Sequence, residues 1–125
     1  MVTEAVKSVV LVDDDPIFVS LCQKFVKFGG FPVELQAYTN PVTALEAVKE
    51  ACPDLVLVDL NMPILSGWQF IESLSAQEMD CELHILTSSI DSRDERRAES
   101  YPIVKGFIHK PLTRRQFNNL VAPTA

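Results

Sequence analysis

Leu55-Val56-Leu57-Val58 runs straight into Asp59-Leu60-Asn61-Met62-Pro63, and Val9-Val10-Leu11-Val12 runs in the same way into Asp13-Asp14. A continuous apolar tetrad bounded by polar residues suits a strand covered on both faces, as in a parallel sheet. Working outward, the first strand extends back to Ser8, and three more strand candidates follow at Val33 to Ala37, Leu83 to Leu86 and Gly106 to His109. Helix signals fill the intervals. Asp15 is an N-cap with Pro16 at the first helical position, and Gly29-Gly30 ends that helix. Asn40-Pro41 repeats the cap, with Ala44, Leu45, Val48 and Cys52 as an apolar stripe closed by Pro53. Ser66 caps a third helix that turns Phe70, Ile71 and Leu74 inward, while Ser92 with Glu95 and Thr113 with Gln116 are spaced as capping boxes for a fourth and a fifth. The stretch from Asp91 to Ser100 is mostly charged and has almost no apolar stripe. The order βαβαβαβαβα predicts an α/β domain on a parallel sheet.

The chain has 125 residues, 47% of them apolar, which is one domain's worth of sequence with enough material for a core without staples. Eleven Lys and Arg against seventeen Asp and Glu leave a net charge of -6. A surface for nucleic acid needs clustered cations, so nucleic-acid binding is not expected. Cys22, Cys52 and Cys81 form no ligand motif, and no apolar run reaches the length of a signal-peptide core or a membrane span. A reducing, cytoplasmic setting without membrane insertion is expected. Neither GxGxxG nor GxxxxGK[ST] is present, which disfavours nucleotide-binding enzymes.

Conspicuous polar residues follow the strands directly: Asp13 and Asp14 after the first, Asp59 after the third, Thr87 after the fourth and Lys110 after the fifth. In a parallel sheet these lie along one edge, where open α/β sheets bind ligands. If the first and third strands are neighbours, the three carboxylates repel one another and call for a cation. Mg²⁺, which prefers hard oxygen ligands and bridges carboxylates to phosphate oxygens, answers that need. Lys110 then supplies a positive charge and Thr87 a hydroxyl donor for phosphoryl oxygens, with one carboxylate as nucleophile for an aspartyl phosphate.

These residues resemble the receiver domain of two-component response regulators over essentially the whole chain. The resemblance rests on Asp13-Asp14, on Asp59-Leu60-Asn61-Met62-Pro63 with Gly67, on Thr87-Ser88 and on Lys110-Pro111. It implies a flavodoxin-like (βα)5 fold, doubly wound, with five parallel strands in the order 2-1-3-4-5. It implies that Asp59 is the phosphoacceptor, that Asp13, Asp14, Asp59 and the Asn61 backbone carbonyl hold Mg²⁺, and that Thr87 and Lys110 contact the phosphoryl group. It also implies a cis peptide at Lys110-Pro111 and a switch in which Thr87 and Phe107 move together. The implied partners are a histidine kinase or a histidine phosphotransfer protein, and a downstream protein target. The chain is then a signalling phosphoacceptor that assists its own phosphorylation and dephosphorylation, with no separate substrate.

Each residue alone has a plainer reading. Asp13 or Asp14 could cap a helix, Lys110 could be a solvated lysine before a turn proline, and Phe107 could be ordinary core. His84 and His109 read as structural, Trp68 as packing, and Arg93, Arg96 and Arg97 among Asp94, Glu95 and Glu99 as a solvated helix face. Two competing functions remain. One is a haloacid-dehalogenase-type phosphatase with Asp13 as nucleophile and Asp15 as acid/base, in which Ile17 departs from the motif and Asp59 has no role. The other is a receiver-like interaction module that is never phosphorylated. Residues 1–125 are expected to form a single receiver domain with no effector, because only Ala122 to Ala125 follow the proposed fifth helix.

Overall fold

The computed structural model describes residues 5–122. Five strands, β1 (Ser8–Val12), β2 (Glu34–Tyr38), β3 (Leu55–Asp59), β4 (Glu82–Thr87) and β5 (Val104–His109), alternate with five helices. These are α1 (Pro16–Gly29), α2 (Pro41–Ala51), α3 (Gly67–Ala76), α4 (Ser92–Ala98) and α5 (Arg114–Val121). The strands pair in parallel in the order β2-β1-β3-β4-β5, as expected from the resemblance. Strand order reverses between β1 and β3, which is where a crevice opens at the carboxyl edge.

The central strands β1 and β3 are buried along both faces, which explains their uninterrupted apolar sequence. On one face, Val10, Val12, Val56 and Val58 pack with Ala44 and Val48 of α2, with Phe70, Ile71 and Leu74 of α3, and with Ala98 of α4. On the other, Val9, Leu11, Leu55 and Leu57 pack with Val19 and Val26 of α1 and with Phe117 and Val121 of α5. Phe25, Phe31 and Phe117 meet as a stacked and edge-to-face cluster beneath α1, with centroids 4.8 to 5.7 Å apart.

The caps at Asp15, Asn40, Ser66 and Thr113 are where the sequence puts them, and Ser66 and Thr113 each form a full capping box with Gln69 and Gln116. Strands β2, β3 and β4 run on to Tyr38, Asp59 and Thr87, one residue past their expected ends, β4 opens one residue early at Glu82, and four further expectations are corrected. Strand β2 starts at Glu34 rather than Val33, because the ladder against β1 begins at the Ser8–Glu34 pair. Strand β5 starts at Val104 rather than Gly106, because a register shift opposite Leu83/His84 leaves Lys105 unpaired, as in a bulge. The N-cap of α4 is Asp91, which accepts the Arg93 amide at 2.9 Å, so Ser92 is already helical. Cys52 is no part of the α2 stripe: it is exposed and caps that helix in the left-handed region at φ 48°. Of the span 1–125 and the tail from Ala122 to Ala125, residues 1–4 and 123–125 lie outside the described residues.

Candidate functional site

Each strand named in the sequence argument delivers its polar residue to the same carboxyl edge. Asp13 leaves β1 with its backbone amide donating to Tyr38 O at 3.1 Å, and its side chain is 1% exposed. One carboxylate oxygen accepts the Asp15 amide at 3.0 Å and the other accepts Lys110 Nζ at 2.5 Å. Asp14 is half-buried beside it. Asp59 is the last residue of β3 and is 6% exposed, with its Oδ1 3.7 Å from Lys110 Nζ. Carboxylate oxygens of Asp13, Asp14 and Asp59 all lie within 4.8 Å of one another.

Gly67 fixes the floor behind Asp59. Its amide donates to Leu60 O at 2.9 Å, and a Cβ there would stand 2.7 Å from Leu60 Cα and strike the Asp59 carbonyl. Only glycine lets the first turn of α3 lie this close to the end of β3. On the opposite flank Lys110 is anchored by its amide, which donates to Thr87 O at 2.8 Å, and the Lys110-Pro111 peptide is cis as expected. Thr87 is fully buried at the end of β4. Its Oγ accepts the Ser89 amide at 3.0 Å, which leaves the hydroxyl proton free to donate.

Burial is the first cause that pushes the Asp59 carboxyl up to about 6, and the neighbouring Asp13 charge is the second. Lys110 pulls the other way. Three clustered carboxylates thus have one ammonium among them, paired with Asp13 and Asp59. Hard oxygen donors at this spacing with unbalanced negative charge fit Mg²⁺.

The remaining expected residues are placed as follows. Asn61 stands in an exposed turn two residues beyond Asp59. Phe107 is half-buried on β5, opposite Ile85, and its ring meets His109 edge-on at 5.4 Å. His84 is buried, with Nε2 3.2 Å from Glu82 Oε2, and Gly106 leaves room for its imidazole. His109 is exposed. Asp15 is taken up as the α1 cap, accepting the Ile17 amide at 3.0 Å. Trp68 packs, as expected, but in a specific cluster: the Arg97 guanidinium lies 4.4 Å over its ring and Tyr101 stacks on it at 6.0 Å.

Two contacts escaped the sequence reading. Phe18 of α1 places its ring 4.3 Å from Lys110 Nζ. Ser89 Oγ donates to Asp94 Oδ2 at 2.8 Å and accepts the Asp91 amide at 3.2 Å, tying the loop after Thr87 to the start of α4. The serine two places after Thr87 was a visible turn signal for the second; nothing in the spacing signalled the first.

The sequence profile described as Response regulator receiver domain matches residues 9–122. Transcriptional regulatory protein PrrA of Mycobacterium tuberculosis is 31% identical over 112 residues, covering 86% of this chain and 47% of that protein. The probable C4-dicarboxylate response regulator DctR of Halalkalibacterium halodurans is 28% identical over 114 residues, covering 90% of this chain and 49% of its own. The chain therefore spans about half the length of these relatives. A solved two-component response regulator from Cytophaga hutchinsonii superposes with a TM-score of 0.81 at 30% identity, over 94% of this chain and 95% of that one. Chemotaxis protein CheY4 of Vibrio cholerae shares the fold with a TM-score of 0.79 at 20% identity, over 92% and 95%. With the profile spanning nearly every described residue, the chain belongs to the response regulator receiver domain family, a family of signalling domains.

Proposed function

We propose that this receiver takes a phosphoryl group from the phosphohistidine of a histidine kinase or phosphotransfer protein onto Asp59, and that the new charge switches a protein-binding surface. The observation that carries the reading is the Asp59 carboxylate, nearly buried, with carboxylate oxygens of Asp13 and Asp14 within 4.8 Å and Lys110 Nζ at 3.7 Å. Asp13, Asp14, Asp59 and the Asn61 backbone carbonyl would hold Mg²⁺, which when bound supplies positive charge for anionic phosphoryl oxygens.

The chain's own residues do the rest. A carboxylate oxygen of Asp59 forms the O–P bond as the P–N bond to the donor imidazole breaks, and that electron pair stays on the ring nitrogen. Lys110 turns its ammonium from Asp13 towards a phosphoryl oxygen, and the Thr87 hydroxyl donates to another. Movement of Thr87 vacates space beside the half-buried Phe107 ring, biasing two arrangements of the surface around β5, α4 and α5. The domain acts on itself and has no separate substrate. One carboxylate oxygen of Asp15 is engaged as the α1 cap, which favours a capping role for that residue over the acid/base role of the phosphatase reading.

The three cysteines are unpaired, which suits the reducing cytoplasm as the place of action. Among the described residues no helix is long and apolar enough to cross a membrane. The output is proposed to be a protein contact rather than nucleic acid; transcriptional regulation is named for the longer relative.

Acetyl phosphate with Mg²⁺, read by intact mass, tests the reading. One labile phosphoryl group is expected on the wild-type chain, with none after chelation and none on Asp59→Ala. Label that persists in Asp59→Ala would assign the nucleophile elsewhere, and a wild-type chain that stays unlabelled by both acetyl phosphate and a phosphohistidine donor would leave only the interaction-module reading.

A further inference from the structure

Lys110 is held from two sides. Asp13 accepts its ammonium at 2.5 Å, and the Phe18 ring faces the same nitrogen at 4.3 Å from its centroid. The lysine side chain is 18% exposed, so without the ring its ammonium would have open water as an alternative. Phe18 is itself fixed. It is half-buried in the core under α1, and it lines a shallow apolar groove together with Cys22, Phe25, Pro111 and Leu112, the last two of which continue the chain from Lys110.

From this geometry we infer that Phe18 is a positioning residue that acts through Lys110, holding the ammonium over the carboxylates while its hydrogen-bond partner changes. A carboxylate attracts an ammonium through directed hydrogen bonds, which lengthen or break as the ammonium turns towards a phosphoryl oxygen. An aromatic face attracts the same charge through its quadrupole, with little directional demand. The ring therefore keeps its grip while Lys110 swings between Asp13 and a group on Asp59. It also takes the place of water beside the ammonium, which strengthens the attraction to the phosphoryl oxygens. This inference rests on the phosphoacceptor reading of Asp59, and it adds an element of the α1 face to a site otherwise built from strand ends.

Ring electronics separate this role from packing. Replacing Phe18 by mono-, di- and trifluorophenylalanine withdraws charge from the ring face step by step at nearly constant shape. The initial rate of labelling by acetyl phosphate and Mg²⁺ is expected to fall stepwise, by roughly 2- to 5-fold at the trifluoro ring. Phe18→Leu is expected to fall about as far and Phe18→Tyr to keep the wild-type rate, with thermal midpoints that do not follow this order. A rate that is flat across the fluorinated rings, or that tracks the thermal midpoint alone, would overturn the inference while leaving Asp59 as phosphoacceptor. Failure of the wild-type chain to label would instead remove the phosphoacceptor reading, and the role of Phe18 with it.

Discussion

Ile64 holds φ at 72° with 80% of its surface exposed. A β-branched side chain crowds its own backbone in that left-handed region, and at this exposure no packing offsets the strain. Ile64→Asn, which tolerates the conformation, is expected to raise unfolding stability by about 1 kcal/mol in urea titration. Asp59 carries a different load. Burial, and after it the Asp13 charge, pushes its carboxyl up to about 6 from an ordinary 3.8, so the folded chain binds the extra proton between those values. Stability must then fall as pH rises from about 4 through 6, the opposite of an ion-paired carboxylate. Asp59→Asn is expected to remove this dependence and to stabilise the metal-free chain by roughly 2–3 kcal/mol at neutral pH. Equal pH slopes for the two proteins would contradict the burial of charge at this position.

At the scale of elements, α4 stands out. It buries only Ala98 and is tied down at both ends by polar contacts. Ser89 bonds Asp94 at the start, and at the end Glu72 of α3 accepts both the Tyr101 hydroxyl at 2.7 Å and Arg97 Nη2 at 3.3 Å. These groups are exposed, so Glu72→Ala is expected to cost no more than ~1 kcal/mol of global stability. Locally it should speed amide hydrogen exchange across 92–98 severalfold, because so little apolar contact holds that helix. Unchanged exchange would mean that the polar clamp does not hold α4. The same contrast governs what the sequence reveals. Strands β1 and β3 are legible because burial on both faces leaves only apolar residues, whereas the start of β5 is hidden by the bulge at Lys105. Ser92 and Glu95 imitate a capping box although Asp91 makes the cap, because several short polar residues compete at one helix start. Asp13, Asp14, Asp59, Thr87 and Lys110 are legible as a site because they end or directly follow four of the strands. Phe18 is not, since a cation over an aromatic face joins distant residues without any motif.

The whole molecule carries a net charge of -6, and the cluster of Asp13, Asp14 and Asp59 lies at the sheet edge where the strand order reverses. A divalent cation bound to the folded state alone stabilises it by mass action, by about 2.7 kcal/mol at one hundred times its dissociation constant. Thermal unfolding with and without Mg²⁺ is expected to show that shift in the wild-type chain and to lose most of it in Asp13→Asn. An equal shift in both would place the cation elsewhere. The central claim concerns which carboxylate receives the phosphoryl group, and chemical trapping addresses it most directly. After labelling with acetyl phosphate and Mg²⁺, borohydride reduces an aspartyl phosphate to homoserine, which peptide mass mapping locates in the chain. The account predicts homoserine at position 59 alone; homoserine at position 13 would contradict it.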